Sequence, residues 1–353
     1  MRILITAGFD ANGIALLRRY GDVRYEYYGS TSHYGGKLRV LTGNSLISAL
    51  SGVSIFITEV DQVSQDVLAN TDTLKLIAVC RGNPVNVCVE EATKRGVLVL
   101  NTPGRNAEGV AELTVFLMLI LARQVPQAVR ALQGQEDKFS KITRILTECK
   151  GTELWNKTVG FVGLGAIGRK VAARLKPFEM NLIAYDPYID PKIPKELGIE
   201  LVTLDELLIR SDFVSLHASV TPESRGMLGA REFNLMKPTA YFINTARAAL
   251  IDETALYEAL ASHEIAGAGL DVFMDEPPPP DYPLLTLDNV VATPHIGGNT
   301  HEVATRQSQI VTSDIMRVLR GEPPLYAVNP EVLLDFDLTD LQVSEARHEG
   351  GRC

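Results

Sequence analysis

Short apolar runs, rich in β-branched residues, recur along the chain, with stretches of helical spacing among them. Residues 2–7, 53–57, 76–79 and 97–100 are apolar without alternation and end in polar or glycine-containing turns, so they read as strands covered on both faces. Residues 11–20, 44–50 and a short segment around 66–69 carry helical spacing between them. The Gly-rich stretch 29–37 (GSTSHYGGK) reads as a loop. Strand and helix in alternation imply a small parallel α/β domain over the first hundred residues.

A long apolar helix is predicted over 107–133, with Asn106 as its N-cap, Glu108 and Glu112 at the positive end of its dipole, and Pro126 kinking it or ending its regular part. Its middle, 115–121, is apolar on nearly every side. Such a helix is expected to be buried all round, within the chain or against a second subunit. Charged residues 134–155 are expected to run irregularly over the surface. Alternation then resumes, with strands at 213–216, 241–243, 266–272 and 290–292. Helices are predicted at 204–211, at 252–262 with Asp252 as cap, and from 300 to 321. Residues 333–353 read as a loosely attached tail.

The most informative stretch is 158–186, TVGFVGLGAIGRKVAARLKPFEMNLIAYD. An apolar strand pattern leads into Gly163, Gly165, Ala166, Ile167 and Gly168, an amphipathic helix follows, and a second apolar run ends in Asp186. Strand, glycine turn, helix, strand and acid in that order is the dinucleotide-binding pattern. Gly163 permits the tight turn, Gly165 lets the backbone approach a pyrophosphate, and Gly168 lets helix pack on strand. The helix N-terminus offers N–H groups to phosphate. Asp186 would accept from the adenosine ribose and repel a 2′-phosphate, so NAD is expected rather than NADP.

Composition narrows the picture. With 353 residues, 46% of them hydrophobic, two domains and a sizeable core are expected. The net charge of −9 argues against nucleic acid or an anionic membrane as partner. The apolar run 113–122 is about half what a bilayer span needs. Cys80, Cys88, Cys149 and Cys353 lack metal-ligand spacing, so free thiols in a reducing cytoplasm and no metal are expected. The N-terminus enters a strand directly, without the pattern of a secretory signal.

Three residues follow strand ends in the glycine-motif half: Arg247, Glu276 and His295. In an open parallel sheet those ends share one crevice. Each alone has an ordinary structural reading: a surface charge, a solvated acid, a core histidine. Together they suit reduction of a 2-oxo acid. A histidine supplies the proton for the carbonyl oxygen, a neighbouring carboxylate favours its protonated form, and an arginine grips the substrate carboxylate by two prongs.

On these residues the chain resembles the D-isomer-specific 2-hydroxyacid dehydrogenase family, which includes D-3-phosphoglycerate, D-lactate, glyoxylate/hydroxypyruvate and erythronate-phosphate dehydrogenases. The resemblance is carried by GFVGLGAIGR from Gly160, FINTARAALID from Phe242, AGLDVFMDEP from Ala268, TPHIGG from Thr293 and NTPGRNAEGVAE from Asn101. It implies a Rossmann NAD-binding domain, residues 107–299, inserted in a flavodoxin-like substrate domain, residues 1–106 and 300–330. It implies that Arg247, Glu276 and His295 are catalytic. It places Ala166 and Ile167 at the pyrophosphate, His217, Thr221, Thr245 and Ala246 along the cofactor, Asp271 on the nicotinamide amide, and Gly297 and Gly298 where the backbone comes close. Arg81, Gly82 and Asn106 would meet the substrate. The family expectation is a homodimer. The chain departs from the family's G-x-G-x-D-N loop, with Arg81-Gly82-Asn83-Pro84-Val85-Asn86-Val87 in its place, which bears on the substrate side chain. For a phosphorylated substrate, Arg81 and Arg105 are candidate cations. A second reading of the same resemblance is a nucleotide-sensing corepressor or scaffold.

Overall fold

A computed structural model describes residues 1–27, 39–133, 137–336 and 341 of the chain. The predicted loop 29–37 and Cys353 lie outside the described residues. Two compact units are present, Met1–Arg105 with His301–Cys353, and Asn106–Thr300.

The first unit holds β1 (Arg2–Ile5), β2 (Asp22–Tyr25), β3 (Ile55–Thr58), β4 (Leu76–Val79) and β5 (Leu98–Leu100), with α1 (Ala11–Leu17), α2 (Gly43–Ala49), α3 (Gln65–Ala69) and α4 (Val89–Lys94) between them. All strand pairs are parallel, and the order β2-β1-β3-β4-β5 is the flavodoxin-like one. Successive side chains face opposite ways, which explains the unbroken apolar runs. Ile3, Ile5 and Ile57 pack into one core cluster, and Leu4 and Phe56, their neighbours in sequence, into the other. β2 is not evident in the sequence because it is an edge strand with only Val23 buried.

In the second unit, the helix predicted over 107–133 is bent near Pro126 as expected, but the break falls ahead of the proline, between α5 (Ala107–Ala122) and α6 (Val125–Gln133), which meet at 58°. Gln124 between them has φ +52°. Pro126 therefore sits in the first turn of α6, where its missing N–H costs nothing. It cannot donate to the carbonyl of Ala122, which instead accepts the Thr152 N–H at 2.7 Å. Asn106 holds the N-cap position of α5, but its side chain makes no capping bond. Within the chain, α5 is buried on one side: Leu117, Met118 and Leu121 face the core, whereas Phe116 is 48% exposed. The stretch expected to be irregular contains α7 (Lys138–Glu148), started by Asp137, whose carboxylate accepts from the N–H groups of Phe139 and Ser140.

The rest of this unit is β6 (Thr158–Val162), α8 (Ala166–Leu175), β7 (Asn181–Tyr185), α9 (Lys192–Leu197), β8 (Glu200–Leu201), α10 (Leu204–Arg210), β9 (Phe213–Leu216), α11 (Ala230–Leu235), β10 (Tyr241–Asn244), α12 (Glu253–Ala261), β11 (Gly267–Leu270) and β12 (Val290–Ala292). Its seven parallel strands run β12-β11-β10-β9-β6-β7-β8. Counted from β6, this is the Rossmann order 3-2-1-4-5-6 with one strand added, and the order reverses between β6 and β9. Phe161 and Ile243 pack with α5 and α8 on one face, and Val162, Val214 and Phe242 with α10 to α12 on the other.

The chain then returns to the first unit as α13 (His301–Leu319), whose Val311, Ile315 and Val318 complete the core over β1 and β3. Ahead of the predicted tail, Asn329 fastens the chain to β5, accepting the Val99 N–H at 2.7 Å and donating to Val97 O at 2.9 Å, and Val332 is buried in the same core. Within the described part of the tail, Leu333 and Phe336 pack against that core and Leu341 is buried in it, whereas Leu334 is 86% exposed. No single described helix is long and apolar enough to cross a membrane; α5 and α6 together would be, but for their bend and the burial of α5.

Candidate active site

The turn from β6 into α8 leaves no room for side chains where the sequence places glycines. Gly163 has φ +91°, and a Cβ there would lie 2.7 Å from the Ala218 nitrogen. A Cβ on Gly168 would lie 2.7 Å from Gly163 O. Gly165 differs: it is exposed, and no protein atom lies within 4 Å of where its Cβ would be. It is the N-cap of α8, no side chain caps the helix, and Ala166 and Ile167 form the first turn. Open space beside uncapped N–H groups at a positive helix end fits a pyrophosphate.

Asp186 follows β7 directly. Its Oδ2 accepts the Leu164 N–H at 2.9 Å and its Oδ1 the Tyr188 N–H at 3.0 Å. The acid at the end of the second strand thus holds the glycine turn from outside, and each oxygen keeps a lone pair for a ribose hydroxyl.

Loops after β9 and β10 carry the next group. His217 bonds Ser215 Oγ through Nε2 at 2.8 Å, and its Nδ1 is buried without a partner. Burial pushes its pKa down to about 3, so the ring is neutral. Thr221 and Ser224 tie their own loop, Thr221 N–H donating to Ser224 Oγ at 2.7 Å. Thr245 is buried, and its hydroxyl pairs with Thr114 of α5 at 2.8 Å, so this side chain points into the core. Any contact of Thr245 along a cofactor would therefore be through its backbone. Ala246 beside it is half-buried. Asn244, just past the strand predicted at 241–243, closes β10 and has a part that no local pattern displays. It is fully buried and clamps the turn, its Oδ1 accepting from Ala246 N–H at 3.0 Å and its Nδ2 donating to Arg247 O at 3.1 Å.

Arg247, Glu276 and His295 follow β10, β11 and β12, and all three are exposed. His295 Nδ1 lies 2.7 Å from Glu276 Oε2. Glu276 Oε1 accepts the Phe273 N–H at 3.0 Å. Burial pushes the Glu276 carboxyl up, but the bond from His295, the Phe273 N–H and the charges of His295 and Arg247 outweigh it and hold the group below the ordinary range. The guanidinium of Arg247 donates to Ala246 O at 2.6 Å through Nη1.

His295 sits at φ +55°, in the left-handed region that side chains adopt uncommonly and at a cost, so bonds around it matter for holding it there. Asp271 supplies them. It is 1% exposed, and its Oδ1 accepts Thr293 Oγ1 at 2.6 Å and Ile296 N–H at 2.8 Å, its Oδ2 Gly297 N–H at 2.9 Å. The described side-chain bonds of Asp271 are thus to the His295 loop. Gly297 and Gly298 permit close packing, but against the protein itself: a Cβ on Gly297 would meet Asp271 Oδ2 at 2.9 Å, and one on Gly298 would meet Asn106 Nδ2 at 3.0 Å.

Two further residues were not legible in the sequence. Glu253, in the first turn of α12, accepts the Met274 N–H at 3.1 Å and the Tyr282 hydroxyl, pinning both ends of the loop that bears Glu276. Tyr282 in turn meets Phe273 edge to face at 5.6 Å.

In the first unit, Arg81 and Gly82 follow β4, as predicted. Thr102 N–H donates to Arg81 O at 2.9 Å and Asn101 Nδ2 to Gly82 O at 2.7 Å, which fixes this loop to the one after β5. Arg105, a candidate cation for phosphate, is taken up internally by Glu59 and Gln307. Among the described residues, no group of three or more His, Cys, Asp or Glu side chains is placed to hold a metal, and Cys80, Cys88 and Cys149 are free.

Residues 115–297 match the model of the D-isomer specific 2-hydroxyacid dehydrogenase, NAD binding domain. The chain belongs to the D-isomer-specific 2-hydroxyacid dehydrogenase family, and NAD is its cofactor. Among relatives of this family, it is 40% identical over 332 residues to a D-3-phosphoglycerate dehydrogenase of Methanocaldococcus jannaschii, covering 93% of this chain but 59% of that one. It thus spans under two thirds of that relative's length. It is 37% identical to a glyoxylate reductase of Thermococcus litoralis, covering 94% of this chain and 98% of that one. An NAD-complexed D-isomer-specific 2-hydroxyacid dehydrogenase from Lactobacillus delbrueckii ssp. bulgaricus superposes with TM-score 0.73 at 25% identity, over 93% of this chain and all of that one.

Proposed function

We propose that this dehydrogenase interconverts a D-2-hydroxy acid and its 2-oxo acid with NAD, using His295 and Glu276 as an acid/base pair and Arg247 for the substrate carboxylate. The observation that carries the reading is the 2.7 Å Nδ1 to Oε2 bond between two exposed side chains beyond the C-terminal ends of parallel strands. NAD, when bound, supplies or accepts the hydride. Glu276 engages one ring nitrogen of His295, so the other is the one that exchanges a proton with the substrate oxygen. The guanidinium of Arg247 supplies paired donors for a carboxylate and positive charge where oxyanion character grows. On the cofactor side, the turn Gly163–Gly168 and Asp186 would take pyrophosphate and ribose, with His217, Thr221, Ala246, the Thr245 backbone and the loop at Gly297–Gly298 alongside. Arg81 and Gly82 would receive the substrate, and Asn106 would border it. The units would serve as substrate domain and cofactor domain respectively.

A homodimer in the cytoplasm is part of the same proposal. Support comes from the exposed face of α5, where Leu113, Phe116 and Ile296 line a surface groove of about 430 Å³, and from the exposed Leu132, Phe139 and Leu146 of α6 and α7. No observation favours the corepressor reading or a nucleic-acid or membrane partner. The test is to offer NADH with glyoxylate, hydroxypyruvate, pyruvate, 2-oxoglutarate and phosphorylated 2-oxo acids. Oxidation of NADH by at least one is expected; none with any of them overturns the proposal.

A further inference from the structure

The strands of the first unit are all parallel, so their C-terminal ends form one rim, the place where open sheets of this kind bind ligands. The connections on that rim are stitched together. Cys80 N–H donates to Thr58 O at 2.7 Å, joining the ends of β4 and β3, and the bond from Thr102 to Arg81 joins β5 to β4. Glu59 stands directly after β3 and Arg105 five residues after β5. Their ion pair, Arg105 Nη2 to Glu59 Oε1, measures 2.7 Å. Arg105 Nη1 donates to Gln307 Oε1, and Gln307, 2% exposed, passes the bond on to Gly8 O beyond β1. Cys80, bonded to the residue before Glu59, precedes Arg81 in the chain; burial first, then the Glu59 charge, push its thiol up, with Arg105 opposing.

An arginine here would be the natural clamp for a phosphate. In this chain its fork is already matched by a carboxylate and an amide. The carboxylate, 27% exposed, adds a negative charge that a phosphate dianion would meet. A hydroxyl, by contrast, can donate to Glu59 without displacing Arg105.

We infer that Glu59, held by Arg105 and Gln307, determines specificity for the substrate side chain and selects small uncharged or hydroxylated 2-oxo acids over phosphorylated ones. This rests on the dehydrogenase reading above. It gives the charge balance on this rim a function, exclusion of a second anion, beyond holding the unit together.

The experiment compares kcat/KM for hydroxypyruvate and 3-phosphohydroxypyruvate, with NADH, in the wild type, Glu59→Gln and Arg105→Met. The wild type is expected to favour hydroxypyruvate at least tenfold. Glu59→Gln, which keeps side-chain length and an acceptor for Arg105, is expected to narrow that ratio by about tenfold, the scale of removing one like charge from a partly buried site. Arg105→Met, which unmasks Glu59, is expected to widen it. A part that merely held the unit together would move stability and leave the ratio alone in both variants. A wild type that prefers the phosphorylated acid overturns the inference and leaves the dehydrogenase reading standing. So does an unchanged ratio in both variants with melting temperatures near wild type. If no 2-oxo acid is reduced while NADH still binds, the dehydrogenase reading itself falls and takes the inference with it.

Discussion

Asp271 Oδ2 accepts the Gly297 N–H at 2.9 Å, two residues beyond His295, while its Oδ1 takes Ile296 N–H and the Thr293 hydroxyl. A buried carboxylate thus encloses a histidine whose φ is +55°. Replacing Asp271 by Ala would leave two N–H groups and a hydroxyl without their anionic partner. The expected loss is about 3 kcal/mol in urea unfolding, with kcat reduced at least tenfold because the loop relaxes away from φ > 0. Stability and kcat both near wild type would mean that the loop is held by something else.

Glu253 anchors both ends of the loop carrying Glu276. Glu253→Gln keeps an acceptor but loses the charge. It is expected to lower kcat roughly threefold to tenfold with the KM for NADH unchanged, and Tyr282→Phe is expected to do less. Stopped-flow and steady-state assays check this. A rise in the NADH KM alone would place Glu253 on the cofactor side instead.

The carboxyl of Glu276 is held below the ordinary range, so its contribution to stability is present above the unfolded carboxyl value and is lost as pH falls through the lowered folded one. Wild type is therefore expected to exceed Glu276→Gln in stability at pH 7, and the gap to close below about pH 4. The side chain is about a third exposed, so the gap is expected to stay under about 1 kcal/mol. Urea titrations across that pH range measure it. A gap that widens on acidification would contradict the sign.

Asp186→Ser is expected to raise the ratio of kcat/KM for NADPH over NADH at least tenfold, since a 2′-phosphate no longer meets a carboxylate. Because Asp186 also holds the Leu164 N–H, some loss with NADH is expected too, and Asp186→Asn should recover part of it. An unchanged ratio would mean that Asp186 serves the turn alone.

Much of the fold was legible because its strands are buried on both faces and therefore apolar without interruption, as in β3, β4 and β9. The glycine turn was legible because Gly163 and Gly168 meet backbone atoms that no side chain could share space with. What stayed hidden depends on tertiary partners. Pro126 signals a break in the long helix, but its place ahead of the proline turns on Gln124 adopting φ > 0 and on Thr152 taking up the Ala122 carbonyl, neither of which a local pattern reveals. The edge strand β2 buries one residue. At the candidate site, the spacing of His295 and Glu276 beyond strand ends was readable. The supports were not, because Asn244, Glu253 and Asp271 act through bonds to backbone N–H groups, which sequence does not display.

The most direct test of the acid/base assignment is NADH oxidation by His295→Gln, measured beside wild type at equal cofactor occupancy with the best 2-oxo acid of the panel. The predicted result is a kcat lower by roughly a hundredfold to ten-thousandfold, with the NADH dissociation constant within about twofold of wild type. Turnover close to the wild-type rate would contradict it.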